Sequence, residues 1–107
     1  MSNLEFTICC TVTFFSKKRR TPPNLNNGKY CPHLVIKGAE QLLGVNFIDG
    51  EDVIFDKSIR ANALAVNEDI DYSALQVGTE FLIMDSGNVV GEGIVKEIFQ
   101  HKSYGSK

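Results

Sequence analysis

Lys17-Lys18-Arg19-Arg20, followed by Lys29 with no acid between them, are the residues of this chain best suited to grip a run of phosphates. Tyr30 and Phe15 lie close to the two ends of that stretch, where an aromatic ring stacks readily on a base. Residues 17–29 hold +5, which leaves −7 on the other 94 of the 107 residues. A net charge of −2 therefore hides one basic loop on an acidic body. The bland alternative is a solvated loop whose cations offset that body.

Other chemistry is poorly supplied. Cys31 and His33 sit at i and i+2, on one face of an extended segment, but Pro32 lies between them and no third catalytic member is recognisable. They also offer two zinc ligands, yet Cys9 and Cys10 lack the paired spacing of a zinc site. Asp49-Gly50-Glu51-Asp52 has three carboxylates without the twelve-residue ligand pattern of a calcium loop. Gly28-Lys29 is followed by Tyr30, not by the hydroxyl of a phosphate-binding loop, so this chain is expected to bind no nucleotide. The expectation is a protein that is not an enzyme and uses no metal and no cofactor.

The elements that position the loop read as strands. Leu4, Phe6, Ile8, Cys10, Val12 and Phe14 alternate with polar or smaller residues, a period of two that predicts a long strand with one buried face. Cys10 is then a small core residue. Residues 16–31 lose the period and carry Pro22, Pro23, three asparagines and Gly28, the marks of a long loop. Strands are predicted over 33–37 and 42–48, with Gly44 a bulge position, and a fourth strand region over 53–55 and 58–66. The alanines at 61, 63 and 65 fit a short helix equally well on propensity. Residues 67–77 form a connection with room for one helical turn. Residues 78–98 read as a hairpin turning at Asp85-Ser86-Gly87-Asn88. In its second arm Gly91 and Gly93 share a face, which predicts tight curvature or close backbone approach.

At this length the chain buries roughly two-thirds of its unfolded surface, enough for one core. The expected organisation is one domain over 1–98 with the basic loop at 16–31, then a polar, frayed tail over 99–107. About six strands with little helix imply an all-β, single, antiparallel, closed barrel. Thr7, Thr11 and Thr13 interrupt the N-terminal apolar residues and no basic segment precedes them, so neither a signal peptide nor a membrane span fits. Three cysteines agree with a reducing compartment, and the expected location is cytoplasmic.

The hairpin, Gly78-Thr79-x-Phe81-x-Ile83 and then Val90-Gly91-x-Gly93-Ile94-Val95, resembles the closing hairpin of the last, third domain of elongation factor Tu and related translation GTPases. Arg20-Thr21-Pro22 and Gly28-x-Tyr30-x-Pro32-His33 resemble that domain's R-x-T-P and G-Y-R-P-Q segments, in the same order. The likeness runs from about Leu4 to Ile98 and decides for strand over 58–66. It implies a six-stranded barrel of that type, standing alone without the GTPase. In the family this barrel helps hold aminoacyl-tRNA, contacts the exchange factor and packs on the GTPase domain. The chain departs from the pattern at Cys31 and Asn88, where the family has Arg, at His33, where it has Gln, and at Val89 and Glu92, which replace Thr and Ala. Two lost cations and one gained carboxylate weaken phosphate contacts.

The leading expectation is a translation-associated module that contacts RNA, tRNA-like, through Lys17, Lys18, Arg19, Arg20, Thr21, Lys29, Tyr30, His33 and Asn88. The alternative is a protein-interaction module: an isolated copy of the factor's barrel that binds one of its translation-related partners, or a toxin or regulator that recognises the factor. No membrane partner is expected.

Overall fold

The alternation that begins at Leu4 holds to Phe14, and the even positions are the ones that leave solvent: Ile8, Cys10, Val12 and Phe14 are all buried. In the computed structural model, which describes residues 4–65 and 70–102, this segment is β1 (Leu4–Phe14). Five more strands follow: β2 (His33–Ile36), β3 (Leu43–Gly50), β4 (Ser58–Ala65), β5 (Glu80–Asp85) and β6 (Asn88–Lys102). They close in the order β1-β4-β3-β2-β5-β6, and every pairing is antiparallel. The protein is an all-β closed barrel, with no helix among the described residues.

Each strand contributes alternate residues to one interior. Leu43, Val45 and Phe47 come from β3, Ile59, Ala61 and Ala63 from β4, and Phe81 and Ile83 from β5. The alanine-rich segment is thus a strand, its small side chains facing the large ones of β3 across the Phe47↔Ala63 pair. Among the described residues the core contains no buried polar or charged residue.

Bulges keep that separation. In β3 the register shifts between Phe47 and Asp49, so Ile48 is the extra residue; without it Asp49 would follow Phe47 inward. In β6 the shift opposite Cys9 and Cys10 makes Lys96 the extra residue, which lets Val95 and Ile98 both face the core. A third shift falls at Val90. Gly44 is not a bulge: it pairs in register with His33.

Several boundaries differ from the sequence expectation: β2 ends at Ile36, and β3 runs from Leu43 through Asp49 to Gly50. Residues 53–55 precede β4 as loop and turn instead of joining it. The hairpin reverses through two residues, Ser86 and Gly87, both at positive φ, with Asp85 and Asn88 paired across it. β6 runs to Lys102, past the predicted end at Ile98, because the start of β1 offers a partner down to Leu4↔Lys102. The frayed tail is therefore corrected over 99–102; its remainder, 103–107, lies outside the described residues, as do Val66 and residues 67–69 of the connection. The rest of that connection is turns: the Leu75 N–H donates to the Tyr72 carbonyl at 2.9 Å, and the Tyr72 hydroxyl to the Gly44 carbonyl at 2.6 Å.

The paired glycines mark the tightest part of the wall. A Cβ on Gly93 would lie 2.6 Å from Phe81 Cζ and 2.7 Å from the Thr11 carbonyl oxygen, and one on Gly91 would lie 2.5 Å from the Thr13 carbonyl oxygen. Gly93→Ala must move backbone as well as a ring. It is expected to lower unfolding free energy by about 1–3 kcal/mol, seen as a lower urea midpoint at unchanged slope. An unchanged midpoint would contradict the close approach.

Candidate nucleic-acid interface

The basic loop, residues 15–32, crosses one end of the barrel and is anchored there by its least conspicuous residues. Leu25 is 1% exposed, and its Cδ1 lies 3.0 Å from where a Cβ of Gly50 would be. Next to it the Asn26 side chain pairs with the Gly50 backbone: Nδ2 donates to the carbonyl at 3.0 Å and Oδ1 accepts from the N–H at 3.1 Å. One amide thus imitates a strand neighbour at the end of β3. The chain then turns through Asn27, whose Oδ1 accepts the Lys29 N–H at 2.9 Å, and Gly28 at φ 71°. From Tyr30 onward it runs beside β3, the Phe47 N–H donating to the Tyr30 carbonyl and the Val45 N–H to the Pro32 carbonyl.

Within this frame the predicted residues fall into two groups. Arg19 and Tyr30 are held inside a network. Arg19 donates through its Nη1 to Asp85 Oδ2 at 2.7 Å and to the Tyr30 hydroxyl at 3.4 Å, and through Nε to the Thr21 carbonyl at 3.1 Å. Its guanidinium carbon lies 5.2 Å from the centre of the Tyr30 ring. The Tyr30 hydroxyl donates to the same Asp85 oxygen at 3.2 Å, while its ring stacks on Phe47 and tilts against Phe14. Neither residue is the freely available contact that the sequence reading expects.

Lys17, Lys18, Arg20 and Lys29 are exposed. No side-chain hydrogen bond or ion pair engages Lys18, Arg20 or Lys29 among the described residues. Lys17 lends a minor favourable field to Asp56. Thr21 is exposed and contributes its carbonyl to Arg19. Asn88 is exposed at the hairpin turn, its Nδ2 bonded to the Ser86 carbonyl at 3.4 Å. His33 is exposed and paired in register with Met84. Cys31 is exposed as well, and Pro32 between them is buried, so the expected shared face exists.

Asp85 is the residue that sequence reasoning reduced to turn chemistry. It stands 66 residues from Arg19, and the only hint of its role is a carboxylate at the tip of a hairpin in a protein with one cationic loop. Asp56 does a smaller version of the same work. At positive φ, it donates its N–H to the Phe14 carbonyl at 2.7 Å and accepts the Ser16 N–H on Oδ1 at 3.2 Å; hydrogen bonding from Ser16 holds its carboxyl below the usual range.

A second surface feature is an open groove of about 680 Å³ on the outer wall, reached by Cys9, Asn26, Arg60, Lys96 and Glu97. Burial first, then the charges of Glu97 and Asp49, raise the Cys9 thiol, while burial pushes Cys10 up to about 12, so neither is an activated nucleophile. Asp49 and Glu51 accept bonds from Asn62 Nδ2 at 2.6 Å and from the Arg60 N–H at 2.8 Å. Among the described residues no three His, Cys, Asp or Glu side chains gather as a metal site. No described helix is long and apolar enough to cross a membrane.

Fold and site together define a small closed barrel that carries a cationic loop pinned across one end. No protein-family model matches the chain, and no protein of curated function matches it.

Burial, and next the charge of Asp85, raise the Tyr30 hydroxyl well above its ordinary value, with Arg19 opposing more weakly. A raised folded value means that the unfolded chain loses this proton first. The stability linked to it is intact below about pH 10, the unfolded phenol value, and declines as pH rises above it. Absorbance titration of phenolate should show a late-ionising component that Tyr30→Phe removes. A late component of equal size in intact protein and Tyr30→Phe, or none in either, would contradict the buried network.

Proposed function

We propose that this chain is a binding module of the translation-factor type, cytoplasmic, that contacts RNA of tRNA-like character through its basic loop. The observation that carries the reading is a group of exposed cations in one loop, Lys17, Lys18, Arg20 and Lys29, while two carboxylates that touch that loop, Asp56 and Asp85, are bonded to Ser16 and Arg19. Cations left without a carboxylate partner are available to phosphates, and their binding releases counterions. The loop's anchoring by Leu25 and Asn26 supports the same reading, since a pinned loop presents its charges with less ordering cost than a free one. Three free cysteines fit the reducing compartment in which translation occurs. The order of the R-T-P, G-x-Y-x-P and hairpin segments supports the family, and replacement of its arginines by Cys31 and Asn88 shifts phosphate contact onto the loop's own lysines.

The test is fluorescence-anisotropy titration of labelled total tRNA at several salt concentrations, with the intact protein and with Lys17, Lys18, Arg20 and Lys29 all changed to Ala. Four phosphate contacts give a logarithmic salt slope of roughly −3 to −4. Binding that weakens with salt and is lost in the variant supports the reading. Absence of binding at low salt, or affinity unchanged in the variant, overturns it.

A further inference from the structure

Arg19 is the one residue of the four-cation run that the protein has already claimed. Its guanidinium bonds Asp85 on the hairpin turn, touches the Tyr30 hydroxyl, and lies over the Tyr30 ring. The two features a nucleotide needs, a cation for the phosphate and a ring for the base, are thus turned on each other. Both partners of the ion pair keep access to solvent, at 25% and 30% side-chain exposure. The other attachment of the loop differs in kind. Leu25 is buried in the barrel end and Asn26 makes neutral hydrogen bonds to Gly50, and neither interaction competes with an anion.

We propose that the Arg19–Asp85 pair is a latch, and that a single-stranded RNA segment opens it by exchange. This inference rests on the RNA reading above. A phosphate takes the Arg19 guanidinium from Asp85, which is favourable because the fork of N–H donors matches two phosphate oxygens as well as a carboxylate. A base then takes the position that Arg19 leaves over Tyr30, whose ring keeps its stacked neighbour Phe47 on the barrel side. Asp85 stays solvated, with the Ser86 hydroxyl donating to its other oxygen at 3.2 Å. Residues 17–22 move while Ser16, bonded to Asp56, and the buried Pro23 hold together with Leu25 and Asn26. The ligand must be unpaired, because a base inside a duplex has no free face to offer Tyr30.

Asp85→Asn and Arg19→Ala separate the latch from a purely structural pair. With a labelled twelve-nucleotide oligoadenylate, Asp85→Asn is expected to bind about fivefold tighter, since phosphate no longer has to displace a carboxylate from Arg19. Arg19→Ala is expected to bind more weakly. A structural pair predicts the same sign for both, so weakening in both variants overturns the latch. Hydrogen exchange without ligand reads the mechanical half: Asp85→Asn should speed exchange over 17–21 and leave the segment containing Leu25 and Asn26 protected. Unchanged exchange overturns the latch even if the intact protein binds RNA. If exchange opens as expected but neither intact protein nor variant binds RNA, the RNA reading itself fails, and with it the exchange step.

Discussion

Six strands closed on themselves leave an interior too narrow for anything but side chains, and most of this structure follows from that limit. Phe14, Phe47 and Phe81 fill the space, and the wall must yield where they press on it. It yields at β6, where Gly91 and Gly93 let the backbone come within contact distance of β1 and of the Phe81 ring. It yields again at β4, where Ala63 stands opposite Phe47 of β3. Large and small positions alternate around the barrel because a closed ring of large ones would not close.

A full interior also decides where chemistry can sit. The interior is occupied by apolar side chains from every strand, so polar work falls to the ends and the outer wall. The bulges at Ile48 and Lys96 serve the same division, since each resets the alternation before a charged residue would be carried inward. The end that carries the basic loop is closed by a second layer. Tyr30 covers Phe14 and Phe47, and Arg19 covers Tyr30. Tyr30 is partly a core residue and partly a surface one, which is why its hydroxyl needs both Arg19 and Asp85 as neighbours.

Much of the barrel was legible because its signals are local. The period of two in β1 and the spaced glycines in β6 each need only a dozen residues to be seen, and the antiparallel closed barrel follows from them and the turns. The features that were misplaced depend on partners far away in sequence. Nothing in Phe99 through Lys102 looks like a strand until the start of β1 is set beside it. A bulge at Gly44 is reasonable on residue type, but the need for one arises at Ile48, where the inward register would otherwise bury Asp49. Leu25 is a single apolar residue in an aperiodic stretch, so no pattern marks it as an anchor. The basic loop was recognised by composition, yet composition cannot tell a cation facing solvent from one facing Asp85. For that reason Arg19 stood in one list with Lys17, Lys18 and Arg20 although its surroundings are different.

That difference gives the loop its character. A segment of this length with no secondary structure ordinarily loses too much entropy to stay in place. Here Leu25 and Asn26 divide it into two shorter spans, and each span is easier to order than the whole. The first span carries the four-cation run and is fastened by the Arg19–Asp85 pair, by the bond from Ser16 to Asp56 and by the buried Pro23; the second carries Lys29 and merges into the ladder beside β3. Apolar burial resists salt and anions, whereas a half-exposed ion pair yields to both. One loop therefore combines a fixed part, which keeps its position on the barrel, with a part whose hold weakens as phosphate or salt approaches. The same sequence that closes the end of the barrel thereby keeps its cations within reach of solvent.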